Sequence, residues 1–179
     1  MRCFVLASIL GSILLCGAAT AAESATPAHI GRHTSTPQDT QAINKVIDDF
    51  KLGIKTKNVK LLSSLLLNSN ILFDAPGSPK DIAFAHEKYD TTYDGLRAGG
   101  YGHFARFIET SKGDVEEKFY NVKITQDVNV AWVMFDYEFV IDGKAQNYGV
   151  EVWQMIKVAD DKWKIASVMW TMNRPPAAQ

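Results

Sequence analysis

The chain has 179 residues, and its 19 basic side chains nearly balance 20 acidic ones, giving a formal net charge of −1. No basic stripe runs along it, which excludes the cationic surfaces that nucleic-acid-binding proteins need. Both cysteines, Cys3 and Cys16, lie close to the N-terminus. The length is that of one domain with a hydrophobic core of its own.

Residues 1–22 have the composition of a signal peptide. Arg2 supplies the positive start, Phe4 to Leu15 an apolar core, and small residues up to Ala22 the cleavage choices. We therefore expect a periplasmic or secreted protein that has no membrane association after cleavage. Because both cysteines fall inside this segment, the mature chain is expected to have no disulfide, no thiol nucleophile and no thiolate metal site.

Composition divides the remainder into three parts. Residues 23–37 are rich in Ala, Thr, Ser and Pro without periodicity and predict a flexible arm, as do residues 174–179 at the other end. The domain itself is expected over residues 38–173. No cofactor motif or metal-ligand spacing occurs there, so we expect no cofactor and no metal.

Two helices are predicted at the start of the domain. Thr36 can cap the first helix, and Pro37 suits its first turn. Apolar residues then recur at helical spacing on one face: Ile43, Val46, Ile47, Phe50 and Ile54. The second helix is expected to begin at Asn58, and residues 71–74 then form a short strand that ends in Asp74.

Residues 80–101 fit neither the helical nor the strand period. We expect a long connection with a helical turn near residues 83–88, more mobile than the sheet and closing the open end of the fold, because long connections often serve as lids. A third helix is predicted from about Gly102 to Ser111, with Phe104 on its apolar side. A strand over residues 115–125 follows it.

Three antiparallel strands are predicted between Asn129 and Thr171. Asp142-Gly143 lies between two alternating runs, and both residues tolerate the positive φ of a two-residue hairpin turn. With Ile141 paired to Lys144, the turn predicts three further cross-strand pairs: Phe135 with Val150, Tyr137 with Tyr148, and Trp132 with Trp153.

Both faces of this sheet are apolar in the predicted register. The inner face carries Val133, Phe135, Tyr137, Phe139, Tyr148, Val150, Val152, Ala166, Val168 and Trp170, and the outer face carries Trp132, Met134, Trp153, Met155, Trp163, Ile165 and Met169. The helices can cover only one face, and so large an apolar patch on the other exceeds what monomers usually expose. We therefore expect a homodimer through the outer face, around Trp132, Met134, Trp153 and Met155.

Three stretches, NILFDAPGSP, GHFARFI and DKWKIASVMWT, resemble the NTF2-like superfamily, including its SnoaL-like and ketosteroid-isomerase-like members. The last stretch resembles the W-x-I-x-x-x-x-W-[ST] ending of that group, and the resemblance covers residues 38–172. It implies an α+β, cone-shaped NTF2-like (cystatin-like) fold, in which a curved antiparallel sheet wraps around the N-terminal helices. It implies little about activity, because one fold carries many functions.

The resemblance also implies a position for a catalytic carboxylate. Ketosteroid isomerases of the superfamily have a general-base Asp before a Pro/Gly turn, where this chain has Asp74. One of their oxyanion donors falls on Phe50, which has no hydroxyl, and the other, a protonated Asp, falls on Val152 or Trp153. A base without an oxyanion hole is a poor isomerase, so we do not expect that activity.

The inner face predicts a pocket for a small apolar molecule, in a domain that is non-catalytic or weakly catalytic. The expected ligand-binding residues are Phe50, Phe104, Phe135, Tyr148, Val152 and Trp170. The alternative is a SnoaL-like lyase, isomerase or cyclase with Asp74 as general base and His103 or Tyr137 as its partner, although a carboxylate before Pro-Gly commonly caps the turn. A protein-binding module that uses the outer face is a further alternative.

Overall fold

The computed structural model describes residues 26–96 and 99–175. The predicted signal peptide (residues 1–22) and the last residues of the predicted tail (176–179) lie outside this range. The chain divides into a unit up to Arg32 and a unit from His33 onward. In the first unit, the described residues form a turn in which the Ile30 N–H donates to the Pro27 carbonyl over 2.9 Å.

The unit from His33 onward combines helices with one five-stranded sheet. Its elements are α1 (Pro37–Lys55), α2 (Val59–Leu65), β1 (Leu72–Asp74), α3 (Pro79–Lys88), α4 (Gly100–Thr110), β2 (Val115–Asp127), β3 (Val130–Ile141), β4 (Lys144–Lys157) and β5 (Trp163–Trp170). The strand order is β1-β5-β4-β3-β2, antiparallel except for β1 with β5. The predicted α+β class is confirmed. Within the described ranges, no helix has the length and apolar character needed to cross a membrane.

Helix α1 begins where the sequence predicts. Thr36 Oγ1 accepts a hydrogen bond from the Asp39 N–H (3.1 Å), and Pro37 occupies the first turn. The whole predicted apolar stripe is buried: Ile43, Val46, Ile47, Phe50 and Ile54. Because α1 packs against β2 and β5, this stripe covers one face of the sheet, which is the inner face; the opposite side is the outer face.

Helix α3 corrects the prediction of a long connection. It is a ten-residue helix, whereas the sequence suggested only a helical turn near residues 83–88. A capping box starts it: the Asp81 N–H donates to Ser78 Oγ and the Ser78 N–H to Asp81 Oδ2, each over 3.2 Å. None of its residues is buried, so it has no apolar stripe for a periodicity argument to find.

The Asp142-Gly143 turn forms as predicted, but the strand that follows it does not keep the predicted register. Both turn residues have positive φ (50° and 73°), and Ile141 pairs with Lys144. Gln146 then has no partner across the ladder, because Phe139 pairs with Asn147. This β-bulge moves the rest of β4 by one residue and exchanges its two faces.

The predicted cross-strand pairs and half of the predicted outer patch are therefore wrong. Phe135 pairs with Glu151 and Tyr137 with Gly149, while Trp132 faces Gln154. Trp153 and Met155 are fully buried on the inner face. On β4 the residues that point outward are instead Tyr148, Val150, Val152 and Gln154.

A second bulge reverses the start of β5. Gln154 pairs with Ser167 and Met155 with Ile165, so Ala166 is the extra residue. Trp163 and Ile165 are consequently buried on the inner face rather than exposed on the outer one, whereas Val168 and Trp170 lie inward as predicted. With a third irregularity in β2, where Asn121 has φ 53°, each antiparallel pair is bulged once, which curves the sheet around α1.

One carboxylate joins the start of α1 to three strands. Asp39 accepts hydrogen bonds from Gln126 Nε2 on β2 (3.0 Å) and from Trp163 Nε1 on β5 (3.0 Å), and it forms a 2.9 Å ion pair with Lys157 on β4. The bond from Lys157, above all, holds the pKa of Asp39 well below its usual range. Asp39 is thus an ionised anchor for the helix, at the opposite end of α1 from Lys55.

Candidate functional site

A cavity of about 260 Å³ lies between the inner face of the sheet and helices α1 and α4. Its lining residues are Phe50, Phe73, Phe104, Phe107, Glu117, Tyr137, Phe139, Ile141, Gln146, Asn147, Glu151, Trp170 and Met172. Most of this lining is aromatic or aliphatic, and its polar groups come from β2, β3 and β4. An apolar pocket with a few convergent polar groups is the usual form of a small-molecule site.

Aromatic rings in contact with one another make one wall of the cavity. Phe73 on β1 lies 5.0 Å from Phe104 and 5.2 Å from Trp170, measured between ring centroids. Phe50 stacks on Phe104 with 6.1 Å between centroids and 5° between planes. Rings that pack against each other in this way have little rotational freedom, so the wall is preformed.

Tyr137 supplies a fixed oxygen at the polar side. Its Oη lies 2.9 Å from Asn147 Oδ1 and 2.9 Å from the Thr171 carbonyl oxygen. Gly149, which pairs with Tyr137 across the ladder, has no side chain, and a Cβ there would collide with the same Thr171 carbonyl. Glycine at this position therefore lets the chain after β5 pass close to the strand and accept the tyrosine hydroxyl.

Two buried carboxyl groups face the cavity on either side of Tyr137. Glu117 on β2 pairs with Phe139, and Glu151 on β4 pairs with Phe135, so both point to the inner face. Their side chains are only 6% and 4% exposed. Among residues 26–96 and 99–175, no Lys, Arg or His forms an ion pair with either carboxyl.

Burial changes the protonation of this carboxyl pair. Removal from water raises the pKa of Glu151 to about 8, although a 2.5 Å hydrogen bond from Trp153 Nε1 opposes the rise. Removal from water, together with the negative charge of Glu151, raises the pKa of Glu117 well above its usual range. Near neutral pH the pair therefore holds at least one proton.

A carboxyl pair in this state can act in two ways. A protonated carboxyl donates a hydrogen bond, and an ionised neighbour accepts one, so the pair can bind a ligand group of either kind. The same pair can also give a proton to a bound molecule or take one from it, because burial raises the pKa of Glu151 to about 8 and that of Glu117 well above its usual range. The site thus fits polar recognition and acid–base chemistry alike.

Only some of the predicted ligand-binding residues line the cavity. Phe50, Phe104 and Trp170 line the cavity. Phe135 lies on the inner face but outside the lining, packed against Phe119 with 4.0 Å between ring centroids.

The other two predicted ligand-binding residues, Tyr148 and Val152, are misplaced. Both point to the outer face, where Tyr148 is 43% exposed. The bulge at Gln146 is the reason, since it exchanges the faces of β4. They are not candidates for contact with a molecule in this cavity.

The three catalytic candidates do not come together. Tyr137 lines the cavity, but Asp74 and His103 are not among its lining residues. Asp74 Oδ1 accepts a hydrogen bond from the Ala75 N–H over 2.8 Å, which is the turn-capping role. His103 is exposed on α4, beside a shallow surface depression that Arg106 and Thr110 also line.

Sequence reasoning missed both buried carboxyls of the site. Glu117 had a usable signal, because it falls in phase with Val115 and Phe119 on the apolar side of β2. Glu151 had none, because the predicted register placed it on the outer face. The predicted lid has no contact in its favour: within the described part of the connection, no residue from Lys80 to Leu96 lines the cavity.

No protein-family model and no curated protein matches the chain. Solved structures do match it. An NTF2-like protein of unknown function from Shewanella baltica is 16% identical, with a TM-score of 0.59, and the match covers 80% of this chain and 100% of that one. An NTF2-like superfamily protein from Salmonella enterica is 19% identical (TM-score 0.53), with 81% of this chain and 96% of that one covered.

A third similar structure carries the provisional name of an enzyme. It is a protein from Novosphingobium aromaticivorans, provisionally named a scytalone dehydratase, which is 15% identical with a TM-score of 0.56 over 79% of this chain and 89% of that one. These likenesses confirm that the chain has the NTF2-like fold. At such identities they carry the fold alone.

Proposed function

We propose that the domain binds a small, largely apolar molecule in the cavity between α1, α4 and the inner face. The observation that carries this proposal is a cavity, open to solvent beside Phe107, whose lining combines an aromatic wall with two buried carboxyl groups. The volume of about 260 Å³ suits a molecule of one or two rings.

The carboxyl pair supports a ligand-binding role more than a structural one. Burying an acidic group without a cation destabilises a fold, and the described part of the chain offers Glu117 and Glu151 no such partner. Apolar side chains at these positions would be compatible with the core around them. Their presence at the cavity surface is explained if they contact a ligand.

Two phenylalanines of similar exposure allow a matched binding test. Phe107 on α4 is 43% exposed and lines the cavity, whereas Phe84 on α3 is 53% exposed and lies outside it. We expect the neutral fluorophore 2-methoxynaphthalene to bind the wild-type chain, and Phe107→Ala to weaken binding by about tenfold through lost contact area. Phe84→Ala should bind as the wild type does. No saturable binding, or equal loss in both variants, would contradict the proposal.

A second candidate function is acid–base catalysis, as in a lyase, isomerase or cyclase. The observation that favours it is that two cavity-lining carboxyls have raised pKa values, that of Glu151 about 8 and that of Glu117 well above its usual range, both through burial. This candidate moves the catalytic carboxylate from Asp74, which caps a turn, to the buried pair. The matched structure provisionally named a scytalone dehydratase is 15% identical to this chain, so the likeness supports the fold and not the activity.

Hydrogen exchange into a ketone can test this candidate. With 2-tetralone in D₂O, a general base in the cavity should speed α-proton exchange, which NMR follows directly. Glu117→Gln and Glu151→Gln should abolish the acceleration, and Asp74→Asn should retain it. Exchange at the buffer rate in the wild-type chain would leave the binding function as the better account.

We also propose export of the chain, on the composition of residues 1–22. Expression of the full chain in a bacterial host, followed by intact-mass measurement of the periplasmic fraction, is the test. The expected product begins close to Glu23. Recovery of the uncleaved chain from the cytoplasm alone would count against export.

A further inference from the structure

The proposed pocket is acidic and has no compensating base. Glu117 and Glu151 line it, and the lining within the described residues contains no Lys, Arg or His. From the same side, Trp153 Nε1 donates to Glu151, and Tyr137 is held by Asn147 and Thr171. These groups bring hydrogen bonds but no positive charge. The site is therefore complementary to a group that supplies one.

The apolar wall suits a cation as well. The faces of aromatic rings attract positive charge, because the ring quadrupole is negative there. Phe50, Phe104 and Trp170 line the same cavity as the two carboxyls, and Trp170 and Phe73 meet at 67° in a T-shaped contact. An ammonium group in this space would contact carboxyl oxygens on one side and ring faces on the other.

We propose, building on the ligand-binding function above, that the pocket binds primary amines with an apolar body. The ammonium group lies against the carboxyls of Glu117 and Glu151, and the apolar body lies against Phe50, Phe104 and Trp170. A neutral molecule of the same shape would gain the apolar contacts and lose the ionic ones.

Binding of an ammonium group displaces a proton from the pair. In the free protein, burial raises the pKa of Glu151 to about 8 and that of Glu117 well above its usual range. A positive ligand favours the ionised form of a neighbouring carboxyl, so one proton leaves as the amine enters. Affinity for the amine should therefore rise with pH up to about 8, where the proton is more easily released.

The other groups around the pair do not change this expectation. The phenol of Tyr137 on β3 is the remaining titratable group of the lining, and β4 adds the neutral amides of Gln146 and Asn147. The lining residues of α1, α4, β1 and β5 are Phe or Trp, and Met172 follows β5. The pH dependence is thus assigned to Glu117 and Glu151.

A matched pair of small molecules tests the inference. Calorimetric titration of the whole chain with 2-phenylethylamine and with 2-phenylethanol, at pH 6 and pH 8 in buffers of different ionisation enthalpy, measures affinity and proton release together. We expect the amine to bind at least about tenfold more tightly than the alcohol at pH 8, with release of a proton. The gap should close toward pH 6, and the affinity for the alcohol should stay constant.

Variants separate the carboxyl pair from the rest of the pocket. Glu117→Gln and Glu151→Gln should each remove the preference for the amine and keep the affinity for the alcohol. Glu138→Gln, on the outer face beside Lys118 (3.8 Å), should change neither. If a variant fails to fold, the proton release of the wild-type chain still decides.

The amine inference and the proposed pocket function would be contradicted by different results. Equal affinity for amine and alcohol at pH 8, or a preference without proton release, would overturn the amine inference and leave the pocket function standing. Absence of binding by the amine, the alcohol and 2-methoxynaphthalene alike would overturn both.

Discussion

The two faces of the sheet use similar residues under opposite conditions. On the inner face Trp153 and Met155 are fully buried, whereas on the outer face Trp132 is 44% and Met134 42% exposed. Acidic side chains usually lie at the surface, and those that are buried usually have a cation beside them. The outer face pairs Glu138 with Lys118, but the inner face buries its carboxyls without a cation.

This contrast shows where composition stops being informative. Tryptophan, methionine and glutamate occur on both faces, so residue type does not identify which face is covered. Register does, because side chains alternate and one extra residue exchanges them all. A buried acid on the covered face then points to function, whereas the same acid on the open face contributes an ordinary surface ion pair of about 0–1 kcal/mol.

Deletion of Gln146 is expected to have the largest effect. Without the bulge, β4 keeps the register of the turn, which would turn Trp153 and Met155 outward and Tyr148 and Val152 inward. The loss of core packing should exceed the ~5–15 kcal/mol that stabilises a typical domain, so the chain should not fold. Circular dichroism and urea unfolding measure this.

The matched control keeps position 146 in the chain and changes only its side chain. Gln146→Ala should cost at most about 1 kcal/mol, the value of the hydrogen bond from Gln146 Nε2 to the Lys144 carbonyl. A deletion variant as stable as this control would show that the bulge does not set the faces.

A charged side chain introduced on the inner face should destabilise the fold far more than one introduced on the outer face. This is the next largest expected effect. Trp153→Glu puts a carboxylate among Phe50, Phe119 and Phe135, whose ring centroids lie 5.0 to 5.9 Å from that of Trp153. We expect a loss of more than about 4 kcal/mol in the free energy of unfolding. Trp132→Glu on the outer face should change the free energy of unfolding of the monomer by about 0.5 kcal/mol or less. Similar losses in denaturant titrations of the two variants would remove the distinction between the faces.

The buried carboxyls predict that stability falls as pH rises. The folded chain keeps the proton of Glu151 up to about pH 8, whereas an unfolded chain releases it near the ordinary value of 4.5. Unfolding therefore releases a proton between these values, and the free energy of unfolding should drop by about 1.4 kcal/mol per pH unit for each such proton. Thermal melts from pH 5 to pH 8 follow this loss.

The same melts on two variants identify the source of the slope. Glu151→Gln should reduce the slope, because only Glu117 then keeps a proton that unfolding releases, and Glu138→Gln on the outer face should leave the slope unchanged. A wild-type chain whose stability is level across this range would mean that the inner-face carboxyls are ionised throughout.

The homodimer stays a prediction, now with a corrected surface. Met134, Val152 and Met169 are neighbours across β3, β4 and β5 on the outer face, and Trp132 and Val150 flank them. Self-association would cover these side chains. Trp132→Glu should then give a folded monomer in sedimentation velocity. Interfaces of modest affinity associate at concentrations of about tens of micromolar. A wild-type chain that is monomeric at that concentration would refute the dimer.

Asp74→Asn should have the smallest effect. An asparagine oxygen can still accept the Ala75 N–H, so the turn should lose no more than about 0.5 kcal/mol. Binding of 2-methoxynaphthalene should not change, since Asp74 lies outside the cavity lining. A large loss of binding or of ketone exchange would restore Asp74 to the site.

Much of the fold was predictable because local signals agree with the final structure. Thr36 and Pro37 start α1, Asp142-Gly143 makes the turn, and the tryptophan-bounded ending resembles a known fold. Each of these signals depends on a few adjacent residues. Tertiary contacts reinforce them and do not override them.

The candidate site was less predictable because it depends on a non-local detail. No residue type near Gln146 indicates the bulge, which appears only in the pairing of β4 with β3. Because the predicted register was wrong, Glu151 was omitted from the predicted site and Tyr148 was included in it. The alternation of Val115, Glu117 and Phe119 was the missed opportunity, since it needs no register at all.

The Asp39 anchor has a consequence for the time course of folding. Its partners Gln126 and Trp163 lie 87 and 124 residues further along the chain, so α1 leaves the ribosome long before they exist. Contacts at such separations slow folding, because a long loop must close before they form. A nascent chain that stops short of Lys157 cannot complete the anchor. The first helix therefore reaches its final stability only after the last strands have been synthesised.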